Sequence, residues 1–112
     1  MNKTKKGLVL LADDDVKLLA NLSDILGKSG YAILTAERND RIAEVLAENP
    51  VDALILDLVM PPGDGMTGLK HVREKFPALP VIILSGHGTI ANAVEAIKAG
   101  AFDFLEKPIE WE

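Results

Sequence analysis

Apolar residues in this chain fall into short continuous runs separated by stretches where they recur every three or four positions. Gly7–Ala12 (GLVLLA), Tyr31–Thr35, Asp52–Asp57 and Pro80–Leu84 read as strands, and Ala101–Leu105 as a further one. Runs that are apolar at successive positions are the signature of strands buried on both faces. Between them the period changes. Leu18, Leu22 and Ile25, with Leu19 and Leu26, share one face of a first helix opened by Asp13-Asp14-Asp15, with Gly27 and Gly30 near its end. Ile42, Val45 and Leu46 do so in a second, with Asn39 or Asp40 as cap and Asn49-Pro50 as stop. A third runs from about Thr67 to Phe76, burying Leu69, Val72 and Phe76 until Pro77 ends it. A fourth starts at Thr89, with Ile90, Val94 and Ile97 expected inward, and ends at Gly100.

Strands alternating with helices at this spacing mean βαβ units, and so a parallel sheet covered on both faces. The expectation is one α/β domain over residues 1–112, with a loose start at 1–6 and no internal repeat or linker. Five strands against four helices leave the last strand without a following helix, so a fifth helix is expected to be missing or truncated.

A chain of 112 residues buries roughly 65% of its unfolded surface, enough for one core without staples. It contains no cysteine, which excludes disulfides, thiolate metal sites and thiol nucleophiles and fits a reducing compartment. Twelve basic and 17 acidic residues give a net charge of −5, which argues against binding nucleic acid by phosphate neutralisation. Lys3, Lys5 and Lys6 precede an apolar run, but Leu8–Ala12 is too short for a signal peptide and aspartates follow it. No stretch is long enough to span a membrane. A soluble cytoplasmic domain is expected.

The central run Ala53-Leu54-Ile55-Leu56 ends on a carboxylate, Asp57, followed by loop residues Met60-Pro61-Pro62-Gly63-Asp64-Gly65. Packing does not need a charge where a buried strand ends. In open α/β sheets that rim is where ligands and chemistry sit. Asp13 and Asp14 after the first strand, Ser85 after the fourth and Lys107 after the fifth belong to the same rim. Converging carboxylates repel one another unless a cation joins them. Oxygen ligands without His or Cys favour Mg²⁺, which accepts a phosphate oxygen as a further ligand. A lysine and a hydroxyl beside it suit the remaining phosphate oxygens. A carboxylate nucleophile in this setting accepts a phosphoryl group as an acyl phosphate.

Ala12-Asp13-Asp14-Asp15, Leu56-Asp57-Leu58-Val59-Met60-Pro61 with Asp64-Gly65, Leu84-Ser85-Gly86 and Lys107-Pro108 together resemble the receiver domain of two-component response regulators. The resemblance covers nearly the whole chain. It implies a flavodoxin-like, doubly wound sheet of strand order 2-1-3-4-5. It also implies Asp57 as phosphoacceptor, with Mg²⁺ held by Asp57, by Asp14 directly, by Asp13 through water and by the backbone carbonyl of Val59. Ser85 and Lys107 would hold the phosphoryl group, Phe104 would be the switch aromatic, and Pro108 would follow a cis bond. The partner implied is a sensor histidine kinase or phosphotransfer protein, and a homodimer is compatible. Gly86–Pro108 is most similar to receivers of nitrogen-regulation type, which usually precede an ATPase and a DNA-binding domain. Such a domain is not an enzyme beyond its own phosphorylation and dephosphorylation.

Other readings are weaker. Acids after a strand also suit a helix amino terminus. His87 reads as a loop histidine, and Trp111 has no assigned role. Gly86–Ala91 matches a dinucleotide-binding pattern, but after the fourth strand rather than the first. A haloacid-dehalogenase-type phosphatase wants a second acid where Val59 stands. The competing function is a receiver-like protein-binding module that needs no phosphate.

Overall fold

The structure, a computed structural model, describes residues 6–58, 65–86 and 90–106. Five strands form one parallel sheet: β1 (Gly7–Ala12), β2 (Tyr31–Ala36), β3 (Ala53–Asp57), β4 (Val81–Ser85) and β5 (Asp103–Glu106), in the order β2-β1-β3-β4-β5. The helices are α1 (Val16–Lys28), α2 (Ile42–Glu48), α3 (Gly65–Lys75) and α4 (Ile90–Lys98). This is the flavodoxin-like arrangement expected from the sequence.

The double alternation of the strands decides which helix goes where. Leu10, Leu54, Leu56, Val81 and Ile83 face one side and pack with Ile42 and Leu46 of α2, Leu69 and Val72 of α3, and Ala96 of α4. Val9, Leu11 and Leu84 face the other and meet Leu19 and Leu22 of α1. Leu10, Leu54, Leu56, Val81 and Ile83 on the one side and Leu11 and Leu84 on the other are all buried, as strands covered on both faces must be.

Local chemistry sets the element ends. Asp15 caps α1, its Oδ1 accepting from the amides of Lys17 at 3.1 Å and Leu18 at 3.2 Å. At the other end Gly30 takes the left-handed conformation with φ 103°, which a glycine adopts without strain. The amide of Lys6 donates to the Gly30 carbonyl at 2.8 Å just before β1 begins. Asp52 braces the amino end of the sheet. Its Oδ2 accepts from the Leu8 amide at 2.8 Å, and its own amide donates to the Leu8 carbonyl at 2.7 Å.

Two expectations need correction. Asn39 and Asp40 do not cap α2. They lie in a 3-10 turn, Asn39–Arg41, and the residue at the α2 cap position is Arg41, which makes no side-chain capping bond. Asp40 is instead held by the Arg38 guanidinium, through contacts of 3.0 and 2.9 Å. In α4, Val94 and Ile97 are not inward: they are 46% and 48% exposed, while Ala96 is fully buried. Among its described side chains, the helix presents the small Ala96 to the sheet and the larger Val94 and Ile97 to solvent. The side chain of Ile90 lies outside the described residues, as do residues 107–112 beyond β5, where the expectation about a fifth helix falls.

Candidate functional site: an acidic rim at the carboxyl ends of the strands

Register alone brings the acids together. Ala12 of β1 is paired with Leu56 of β3, so the next residues, Asp13 and Asp57, emerge side by side. Asp13 still follows the sheet, its amide donating to the Ala36 carbonyl of β2 at 3.0 Å. The chain then turns into α1, and the Asp13 Oδ1 accepts from the Asp15 amide at 2.9 Å. That local bond points Asp13 along the turn and leaves Asp14 at the solvent edge.

Asp13, Asp14 and Asp57 each place a carboxylate oxygen within 4.8 Å of the others. Asp13 and Asp57 are buried, at 2% and 4% exposure, and Asp14 is exposed. Burial strengthens charge–charge interaction because less water screens it, so three such oxygens this close favour a bound cation. An all-carboxylate donor set, without sulfur or imidazole, fits a hard divalent ion. Asp14, on the exposed side, leaves the cluster open to solvent.

The same rim carries a hydroxyl. Asp57 is paired with Leu84, so Ser85 lies one step further along the adjacent strand; the Leu58 amide donates to the Leu84 carbonyl at 2.9 Å and keeps the two strand ends in phase. Ser85 closes β4 as its last residue and is 1% exposed, rather than lying in the following loop as expected from the sequence. Phe104 of β5 pairs with Ile83 and packs half-buried against the core beside α4. Ser85 is paired in turn with Glu106, which brings the end of β5 to the rim. Val59, His87, Lys107, Pro108 and Trp111 lie outside the described residues.

A parallel sheet of this order, with an acid triad at its carboxyl rim, two of its members buried and one exposed, and a buried hydroxyl one strand away, defines a receiver-type fold and site. The response regulator receiver domain model matches residues 9–112, and the chain belongs to that family, the receivers of two-component systems. It is 37% identical over 106 residues to the DNA-binding transcriptional regulator NtrC of Escherichia coli strain K12, covering 95% of this chain and 23% of that one. The solution structure of the beryllofluoride-activated NtrC4 receiver domain dimer is similar with a TM-score of 0.87 and 38% identity, over 92% of this chain and 85% of that one. A response regulator from Burkholderia pseudomallei, crystallised with a phosphorylated aspartic acid, calcium ion and citrate, has a TM-score of 0.87 at 26% identity, over 94% and 62% of the two chains. The chain spans about a fifth to a quarter of the length of the curated relatives it matches.

Proposed function

We propose that this chain is a Mg²⁺-dependent phosphoryl acceptor that switches an output in response to a sensor histidine kinase or phosphotransfer protein, with Asp57 as the acceptor. The observation that carries the reading is the meeting of Asp13, Asp14 and Asp57 within 4.8 Å at the strand ends, two of them buried. A carboxylate oxygen of Asp57 attacks phosphorus. The bond from phosphorus to the donor nitrogen or oxygen breaks, and its electron pair leaves with the donor. Asp14, Asp57 and the Val59 carbonyl would hold Mg²⁺ directly and Asp13 through water, and the ion would supply charge neutralisation for the transferring group. Ser85 donates its hydroxyl proton to a phosphoryl oxygen, and Lys107 pairs with another. The new charge then biases the loop after β4 and Phe104, and with them the face built by α4 and β5.

The similarity to NtrC supports an output that regulates transcription through an ATPase and DNA-binding part of a longer parent chain. The activated dimer of the NtrC4 receiver supports pairing of this chain too. Val94, Ile97 and Leu105, exposed on α4 and β5, offer an apolar face for it. We assign the protein to the cytoplasm, where its kinase partner would donate. Its chemistry is its own phosphorylation and hydrolysis, without turnover of a separate substrate.

Intact-protein mass after incubation with acetyl phosphate tests the acceptor. A phosphoryl adduct that requires Mg²⁺ and is lost in Asp57→Asn is expected. An adduct retained by that variant would move the acceptor elsewhere. Normal partner binding without any adduct or metal uptake would favour a phosphate-independent module.

A further inference from the structure

The carboxyl end of α4 is tied down in a way that neither the acid cluster nor the core requires. Three observations meet there. Gly100 has φ 109°, and α4 ends in a paired cap: the Gly100 amide donates to the Ile97 carbonyl and the Ala101 amide to the Ala96 carbonyl, each at 3.0 Å. The next amide, Phe102, donates to Val81 at the start of β4 at 2.7 Å. The side chain of Arg73, from α3, lies directly over Gly100: a Cβ there would sit 2.8 Å from Nε and 3.0 Å from Cγ.

Arg73 is itself fixed. Nη1 donates to the Leu79 carbonyl and Nη2 to the Pro77 carbonyl, both at 2.6 Å, so one planar guanidinium spans the α3–β4 loop. The other end of α4 begins at Ile90, five positions after Ser85 closes β4. The described side chains that the helix and the residue just after it turn to the core are alanines, Ala96 fully enclosed and Ala99 packed beside it. Small side chains give a helix few interlocking contacts to resist sliding or tilting.

We propose that Arg73 makes the carboxyl end of α4 a fixed pivot, so that a change at Ser85 swings the amino end of the helix while Gly100 stays in place. Arg73 is a positioning residue here: it touches neither the acids nor Ser85 among the contacts described. The swing rests on the phosphoryl-acceptor reading; the anchoring does not.

Two measurements on the 112-residue chain separate them. Amide hydrogen exchange without ligand tests the anchor. Arg73→Ala should speed exchange at Gly100, Ala101 and Phe102 by about tenfold or more relative to α1, because a local tie rather than global stability is lost. Arg73→Lys, which keeps the charge but not the two-pronged fork, should restore little of it. Exchange at these amides unchanged in Arg73→Ala, or raised equally in α1, overturns the proposal. The second measurement adds beryllofluoride and Mg²⁺ and follows amide shifts along α4. In the native chain they should be largest at Ile90–Ala93 and fade towards Gly100, and in Arg73→Ala they should extend to Gly100. Native shifts at Gly100 as large as those at Ala93 overturn the pivot. If the Asp13 and Ser85 amides do not respond, the acceptor reading fails and the swing with it, while the exchange data still decide the anchor.

Discussion

Asp13 does two jobs with one side chain. Its Oδ1 holds the Asp15 amide, and it belongs to the triad of carboxylates. Replacing it with asparagine keeps an acceptor for the turn and removes one charge. Mg²⁺ affinity should then fall by roughly tenfold or more, since affinity at such sites follows the count of charged oxygen ligands. Calorimetric titration would read this, and an unaltered affinity would remove Asp13 from the site. Asp15, three positions after β1 ends at Ala12 and outside the triad, is a helix cap. Asp15→Ala should cost about 1 kcal/mol of stability in urea denaturation, with Mg²⁺ binding retained. The adjacent aspartates of one sequence motif thus separate into ligand and cap by experiment.

At the scale of elements, α4 shows what apolar spacing does and does not tell. Ile97→Ser, on the solvent side of the helix, should shift stability by no more than about 0.5 kcal/mol. Ala96→Leu, on the enclosed side, should cost about 1–3 kcal/mol through overpacking. Urea denaturation of the two variants would check both; the reverse ranking would put the helix the other way round. The sequence suggested the opposite face because Ile90, Val94 and Ile97 form the bulkier stripe, while the alanines form a second stripe that lets the helix approach closely. Strands were more legible. β1 was readable to the residue and β3 and β4 within one position, because a strand buried on both faces is a continuous apolar run with abrupt ends. The start of α2 was not: Asn39 and Asp40 look like caps, but the Arg38 guanidinium claims Asp40 and a 3-10 turn intervenes. Of the site, Asp13, Asp14 and Asp57 were legible because charges at ends of buried strands have no packing purpose. Arg73 was not, since its partners are main-chain carbonyls that leave no side-chain signature in sequence.

For the molecule as a whole, charge and topology matter more than any one contact. Arg38 holds the Asp40 carboxyl below its ordinary range, chiefly through the hydrogen bond between them. The sign follows: a carboxylate lowered in the folded state stabilises above its unfolded pKa, and that contribution is lost as pH falls through the lowered value. Both groups are exposed, so the effect is small and screened by salt. Asp40→Asn should therefore leave thermal stability near neutral pH almost unchanged and flatten its acid limb slightly at low salt. The register of the central strands has a larger consequence, in time rather than in space. Asp13 meets Asp57 only when β1 has paired with β3, across more than forty residues of chain that include all of α1 and β2. Such distant pairing forms slowly compared with local helices. A ribosome that has released only the first half of this domain has therefore exposed two of its acids without building a place for the ion. On the phosphoryl-acceptor reading, competence to receive a signal would therefore come late, and a half-made or misfolded copy would accept no phosphoryl group.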